Sequence, residues 1–474
     1  MPEFPFVGSS YTSRTTRLDA QRTVNLYPEI SEDKDSRTVS ALIGTPGLKL
    51  WKTIGTGPIR GVLKFSAQYS IVVSGVEVYR VDSLGNLTLI GSISIGNPIV
   101  SMASNGIEIM LVTGPFGYVI NPTAATIEPI ANVAFTGADT VGYLDGFMLF
   151  NQPGTGRFQA TGPYTSSIDA LDFATAEGSP DLLVSLMVDH REAWLFGESS
   201  AEVYYGAGGA DFHFERITGA FIETGCAAKF SPAKIDNTVF WLGADDRGVG
   251  MIYRAVGYQP QRISTHAIEH ALHGYPTIAD AIGYTYQQEG HSFYVLTFPS
   301  GNATWVFDVA AREWHERAYR DPVSGQLGRH RGQCHMVFAG KNLVGDYENG
   351  NVYELDLETY TDNGDPLPRV RRCMHLASHE KRVVYNSLEI LFEQGVGTDT
   401  GQGQDPQALL RWSHDAKFWS NEQSGAMGKV GETETRLKYD RLGSGRNRIF
   451  ELVITDPVRV AIVGATLKTK VCRT

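Results

Sequence analysis

One rhythm restricts what this chain can fold into more than any other feature. From Ile59 onward an apolar strand pattern, a turn and a second strand with an aromatic dyad recur: Val78-Tyr79, Tyr118-Val119, Val203-Tyr204, Ile252-Tyr253, Trp305-Val306 and Val352-Tyr353. The dyads stand roughly 40 to 50 residues apart, the period of four-stranded propeller blades. A four-stranded sheet cannot bury both faces by itself, so neighbouring copies must stack around an axis. The pattern predicts an all-β chain with a β-propeller of seven blades, six or eight being the alternatives. A row of β-sandwiches would use the same turn signals; the fixed spacing of the dyads favours the propeller. The third repeat, Asp139 to Ala160, reads as three strands followed by a long loop. Ahead of the first blade, "VSALIGTPGLKLWKTI" offers a strand that would close the ring on the last blade.

Two stretches depart from the repeat. "ISTHAIEHALHGYP" supplies Ser264 or Thr265 as N-cap, Ile268 and Leu272 on one face, Gly274 at the end and Pro276 beyond, which predicts a short helix between the fifth and sixth repeats. After "DNGDPLPRV" the repeat stops, and alternating segments from "VVYNSLEILFEQGVG" to the end read as a compact C-terminal β-sandwich-like domain. The expected division is 1–58, an N-terminal arm with the ring-closing strand; 59–365, the propeller; and 366–474, the C-terminal β-domain.

The 474 residues carry 41 Lys/Arg and 52 Asp/Glu, a net charge of -11. From His375 onward there are 14 and 12 of these, leaving 27 and 40 upstream, so the acidity belongs to the propeller part. This excludes a chain whose task is to grip nucleic acid by releasing counterions, though not one along which DNA slides without sticking. The four cysteines, Cys226, Cys334, Cys373 and Cys472, show no metal or redox spacing. No apolar run approaches the length of a membrane span, and the N-terminus lacks the apolar core of a signal peptide. A soluble chain made in a reducing compartment is expected, and the sequons at Asn86 and Asn302 have no role there.

Candidate chemistry is sparse. "RWSHDAKFWS" resembles a sialidase-type Asp-box, with Ser413 and Asp415 in place, Lys417 where Gly belongs and Trp419 one residue early. Even intact, such a box staples a hairpin turn through its Asp and is not catalytic. "HAIEH" matches an inverted-zincin pattern in which His266 and His270 would share a helix face, with Glu269 as base and His273 as a further ligand. The helix is too short for that role, and a solvated helix between blades is the expectation. Paired carboxylates for glycoside hydrolysis would have to come from Asp245-Asp246 or from Glu313 with Glu316, which fall in turns or edge strands. The Gly-rich "GVGTDTGQG" opens no helix and reads as a loop. Arg369 to Cys373, "RVRRC", reads as a contact between domains or subunits rather than as a phosphate site. No catalytic, cofactor-binding or metal residue is expected.

The ends of the chain carry a family resemblance. "SRTTRLDAQRTVNLYPE" followed by "LIGTPGLKLW" resembles the N-terminal signature of the packaged-DNA stabilisation, or tail hub, proteins of short-tailed bacteriophages. "ISTHAIEHA" is similar to a central segment of that group. The C-terminal part resembles one of its modules: the Ser-x-Asp hairpin, a G-K-x-G-E turn (Gly428, Lys429, Gly431, Glu432), R-x-R-x-F-E (Arg446, Arg448, Phe450, Glu451) and D-P-V-x-V-A-x-x-G-A. The shortened Ser-x-Asp turn departs from the pattern. The resemblance implies a non-enzymatic virion protein, made in the host cytoplasm, of which six copies form a ring below the portal and its adaptor. The ring would extend the DNA channel, hold packaged DNA without binding it specifically, anchor tailspikes or fibres, and seat a needle or plug. No cofactor and no membrane contact are implied. The reading set against it is a propeller-type glycan-binding or glycan-cleaving receptor-recognition protein, which would need a concave pocket on the propeller axis.

Overall fold

The computed structural model describes residues 3–31, 40–209, 212–245, 247–378 and 381–472. Seven four-stranded antiparallel blades follow one another around an axis. The first five are separate sheets spanning 59–92, 101–129, 141–175, 183–222 and 233–262. Blade 6 runs from 282 to 320. Blade 7 takes three strands from 332–356 and its fourth, Gly47–Thr53, from ahead of blade 1, with Tyr353 opposite Leu50 and Asp356 opposite Gly47. The first strands of neighbouring blades touch from blade 1 to blade 4 and from blade 5 to blade 7, blades 4 and 5 meet through Phe196 and Trp241, and the first strand of blade 7 touches that of blade 1, so the ring is closed.

The second strands explain why these sequences choose this fold. Tyr69–Ser74, Ile109–Val112, Glu192–Gly197, Thr238–Ala244 and His291–Phe298 are apolar nearly throughout and buried nearly throughout. Such a strand has a blade covering each face, which alternation alone would not produce. The aromatic dyads fall on the third strands, and in blade 3 that position is held by Phe158 on Arg157–Thr161. In blades 3 to 7 the turns between first and second strands take left-handed backbone at two positions, the twist that hairpins favour. Blades 4 and 5 meet this with His190-Arg191 and Asp236-Asn237, and no glycine.

Blade 3 differs from the sequence reading. The segment after Ala160 is not a plain loop: Ile168–Thr175 returns as the fourth strand, pairing with Arg157–Thr161 across a bulge. Its outer face is exposed, so Asp169, Leu171 and Asp172 erase the apolar alternation by which a strand is recognised.

The helix forms over His266–His273, capped by Thr265, whose hydroxyl accepts from the Ile268 amide. Ile268 and Leu272 are buried with Phe240, Leu242 and Leu296 in the core shared by blades 5 and 6. The C-terminal part is a β-sandwich. One sheet has the order Leu26–Ile30, Ser40–Gly44, Ala461–Val471, Val383–Phe392, Leu437–Asp440. The other contains Arg369–Arg372, Asn447–Ile454, Gln407–Ser413 and Gln423–Ala426. The core between them holds Phe6, Leu42, Leu388, Leu410, Phe450 and Ile462. The N-terminal arm is therefore woven through both halves: it gives strands to the sandwich before it closes the propeller.

Candidate functional site: the propeller–sandwich junction

The largest concentration of buried polar side chains lies where the two halves meet. The outer strand of blade 6, Glu313–Arg320, continues through Ala20–Val24 into Arg369–Arg372 and Asn447–Ile454, so one hydrogen-bonded sheet runs from propeller into sandwich. At the bend between Ala20–Val24 and Leu26–Ile30 sits Asn25, with φ 52. Its side chain donates to the carbonyls of Ala318 (2.8 Å) and Pro368 (2.9 Å) and accepts from the Ala318 amide (3.0 Å). Asn is one of the few residues that tolerates this backbone and can also tie both halves down.

Charged pairs brace the same seam. Arg22 holds Glu316 through two nitrogens, at 2.9 and 2.7 Å, and the carboxylate raises the guanidinium's pKa. Glu451 is 1% exposed and bridges Arg372 (2.7 Å) and Arg411 (2.7 Å). Trp419 lies 4.8 Å from the Arg372 guanidinium carbon and 4.9 Å from that of Arg411. Arg371 is fully buried with no carboxylate beside it; the Phe6 and Ser9 carbonyls, Thr23 Oγ1 and Gln21 Oε1 accept its hydrogen bonds at 2.5–3.1 Å. Burial pushes its pKa down to about 10, which leaves it charged at neutral pH. A cavity of about 280 Å³ at the seam is lined by Arg22, Arg320, Arg372, Arg411, Glu422 and Glu451. Three of these four guanidinium groups are already matched to carboxylates, so this is a brace and not a phosphate cradle.

The residues singled out in the sequence are dispersed. Ser413 and Asp415 make a hairpin staple: Asp415 Oδ1 accepts from the Lys417 and Phe418 amides (2.9 and 3.0 Å), and Ala416 takes φ 63 where the pattern has its glycine nearby. In the HAIEH helix, His266, His270 and His273 are exposed, whereas Glu269 turns inward to Arg262 and to the Ser264 hydroxyl (2.6 Å). The histidines and the acid therefore face apart. No group of three His, Cys, Asp or Glu side chains among the described residues is disposed to hold a metal ion. Asp245 caps its own turn, accepting from the Val249 amide at 2.8 Å, and Asp246 lies outside the described residues. Glu316 is bound to Arg22 and does not pair with Glu313. Gly428 and Gly431 have φ 90 and 77, and Glu432 accepts from the Lys429 amide at 2.9 Å, so the G-K-x-G-E stretch is a self-capped turn. Arg448, 1% exposed, lies over the rings of Tyr385 and Trp412.

The propeller axis is the other place where a propeller commonly works. On the side where the loops lead into the first strands, Asp139 accepts from Asn97 Nδ2 (2.6 Å) and from Lys229 Nζ (2.9 Å). These residues precede blades 2, 3 and 5, so the ion pair ties blades 3 and 5 together past blade 4. Ser185 of blade 4 adds a bond to the Lys229 carbonyl at 2.8 Å. A cleft of about 450 Å³ lies away from the axis, between blades 4 and 5, but its Trp194 is 5% exposed and Tyr258 lies over it, donating to Glu192 at 2.6 Å. It offers no free aromatic platform for a sugar.

With this geometry in hand the likeness to known proteins is specific. The family model described as bacteriophage P22 Gp10, beta-propeller, matches residues 3–360, and that described as bacteriophage P22 Gp10, beta-sandwich, matches 369–470. The chain belongs to the phage P22 Gp10 family. Members are structural proteins that stabilise the packaged phage genome, and membership makes this a virion component that assembles with other virion proteins. The signature stretches of the Gp10 family supply the seam: Arg22 and Asn25 come from the N-terminal one, and Glu451 and Arg448 from the R-x-R-x-F-E module. No curated protein matches the chain. Among solved structures, the computationally designed Ika8 protein is similar at 11% identity, 71% of this chain, 100% of that chain and TM-score 0.38. A chain of a mitotic checkpoint complex is similar at 9%, 69%, 98% and 0.41. At those scores neither carries any argument.

Proposed function

We propose that this Gp10-family chain is a tail hub and head-completion component: six copies form a ring below the portal and its adaptor, extend the DNA channel, and anchor spikes or fibres and a needle or plug. The match of both family models, in order and over nearly the whole chain, carries this reading. The continuous sheet through the seam supports it, because a hub that confines DNA under pressure must transmit load between its halves without a hinge. The acidic propeller suits a wall that DNA passes without sticking. In this proposal the DNA path runs between copies and not through any one propeller. Its work is done by shape and contact, with no substrate turned over. Sedimentation of the purified chain with and without the portal adaptor tests this: a closed ring or a stable adaptor complex is expected. A chain that stays monomeric in both would overturn it.

A further inference from the structure

The chain's charge is missing from one place. Between Ser83 and Ala138, 56 residues contain two charged side chains, Glu108 and Glu128, and no Lys, Arg or His, in a chain that is 20% charged. This stretch is the outer strand of blade 1, the loop after it, and blade 2. Large apolar side chains stand exposed along it: Leu84 at 85%, Leu89 at 55%, Ile95 at 78%, Phe116 at 40% and Val133 at 97%. The last three share one surface, because their loops are tied together. Asn97 donates to the Thr113 carbonyl at 3.0 Å, Gly114 to that of Ala138 at 2.8 Å, and Ile130 to that of Gly117 at 2.9 Å.

The rim beside this surface is equally unusual. Exposed sheet edges invite pairing with other chains and are normally blunted by charge, proline or cover. The outer strands of blades 2 to 5 obey this, with Glu128 and Pro129, Asp169 and Asp172, Glu215 and Arg216, and Pro260 and Arg262. The outer strand of blade 6 is covered by Ala20–Val24, and that of blade 7 carries Lys49 and Lys52. Among the described residues, only Leu87–Ser92 of blade 1, "LTLIGS", has no charge, proline or cover, and its Leu87, Thr88 and Leu89 are exposed.

We infer that the outer strand of blade 1 and the Ile95, Phe116 and Val133 loops beside it form one half of the contact between copies of this chain. The argument for a second copy is electrostatic. A cationic partner would be met by the acidic surface that the propeller has elsewhere, and the one guanidinium beside this strand, Arg80 opposite Thr88, is held by the Pro122 and Thr123 carbonyls, so DNA finds no row of free cations to pair its phosphates. A partner carrying the same charge of -11 can be met without like-charge repulsion only where the charge has been removed. Copies joined head to tail through such a face close into a ring when the rotation allows.

This inference rests on the ring proposed above, and the test separates the two. Ile95→Asp and Val133→Asp are made singly and together in the full chain, with Val323→Asp, on an exposed turn after blade 6, as control. Because these side chains already face water, melting temperatures should match the wild type. Sedimentation velocity across a concentration series should show half-assembly of the double variant moved to at least tenfold higher concentration, with the control unmoved. A double variant that assembles as the wild type does overturns this inference and leaves the ring standing. So does one that assembles normally and loses only its hold on other tail proteins, since the face would then belong to them. A wild type that never self-associates, with the portal adaptor or without it, overturns both.

Discussion

Asn25 is one residue on which the joining of the two halves can be tested quantitatively. Its side chain is 1% exposed and makes three hydrogen bonds to main-chain groups, two of them to the blade 6 residue Ala318 and one to Pro368 at the start of the sandwich. Replacing it with alanine leaves three buried polar groups without partners, at about 1 kcal/mol each. Alanine also suffers at φ 52, a conformation that costs a residue with a plain Cβ about 1 kcal/mol. Asn25→Ala should therefore destabilise the protein by about 4 kcal/mol. Asn25→Gly loses the same bonds without the backbone penalty and should cost about 3 kcal/mol. Urea unfolding followed by tryptophan fluorescence reports on both halves, because Trp241, Trp305 and Trp314 lie in the propeller and Trp412 and Trp419 in the sandwich. A single transition in the wild type should become two in Asn25→Ala as the halves uncouple. A loss below about 1 kcal/mol, or a glycine variant less stable than the alanine variant, would refute this account of the bend.

Three further perturbations read other parts of the same seam. His291 lies between Asp308 (2.7 Å) and Glu29 (2.6 Å) of the N-terminal arm, and its bond to Asp308 above all raises its pKa to about 9. The stabilisation is thus complete below the unfolded value of about 6.5 and disappears as pH rises through 9; melting temperature should fall over that window, and His291→Gln should flatten the profile. Asp362 is 1% exposed with neither carboxylate oxygen hydrogen-bonded, and burial raises its pKa to about 7. Because that value is raised, ionising it costs stability as pH climbs from about 4 through 7, so Asp362→Asn should raise the melting temperature at pH 8 and leave it nearly unchanged at pH 4. Glu269→Ala should cost about 1–2 kcal/mol in thermal unfolding, since Arg262 is partly exposed and Ser264 is not, while added zinc should shift neither variant nor wild type.

Sequence legibility followed the physics of burial. The blades were readable because a second strand covered on both faces must be apolar wherever it occurs, and the third-strand aromatic next to it returns at the same interval, so the signal repeats with the blade. The fourth strand of blade 3 was not readable, because an outer strand faces solvent and Asp169, Leu171 and Asp172 obey no alternation. The seam was half readable. Arg369 to Cys373 announced a contact by placing arginines at a junction, yet their partners Thr23, Glu451 and Phe6 stand far away in the chain. Asn25 looked like one polar residue between two strand patterns, and only its φ and its two carbonyl partners reveal a pivot. The HAIEH spacing does leave His266 and His270 one exposed face, but the fold denies them the acid: with Ile268 and Leu272 fixing which side of the helix is buried, Glu269 has to turn inward to Arg262.

In the hub proposed above, a copy pushed by DNA from one side must neither grip the DNA nor flex between its halves, and the charges and the seam suit both demands. The first demand is met by excess carboxylates upstream of His375 and, at the seam, by Arg22 being held by Glu316 while Arg372 and Arg411 share Glu451, so that these guanidinium groups are already engaged. The second is met by main-chain bonding: a strand pair cannot slide by one residue without turning every side chain to the wrong face. Blade 6 and the sandwich share such pairs through Thr23 opposite Arg371 and Arg371 opposite Leu452. Shear across the seam therefore has to break the ladder and expose buried Arg371 together, and the cost of uncovering an ion held only by neutral acceptors makes the joint stiff where a linker would have yielded.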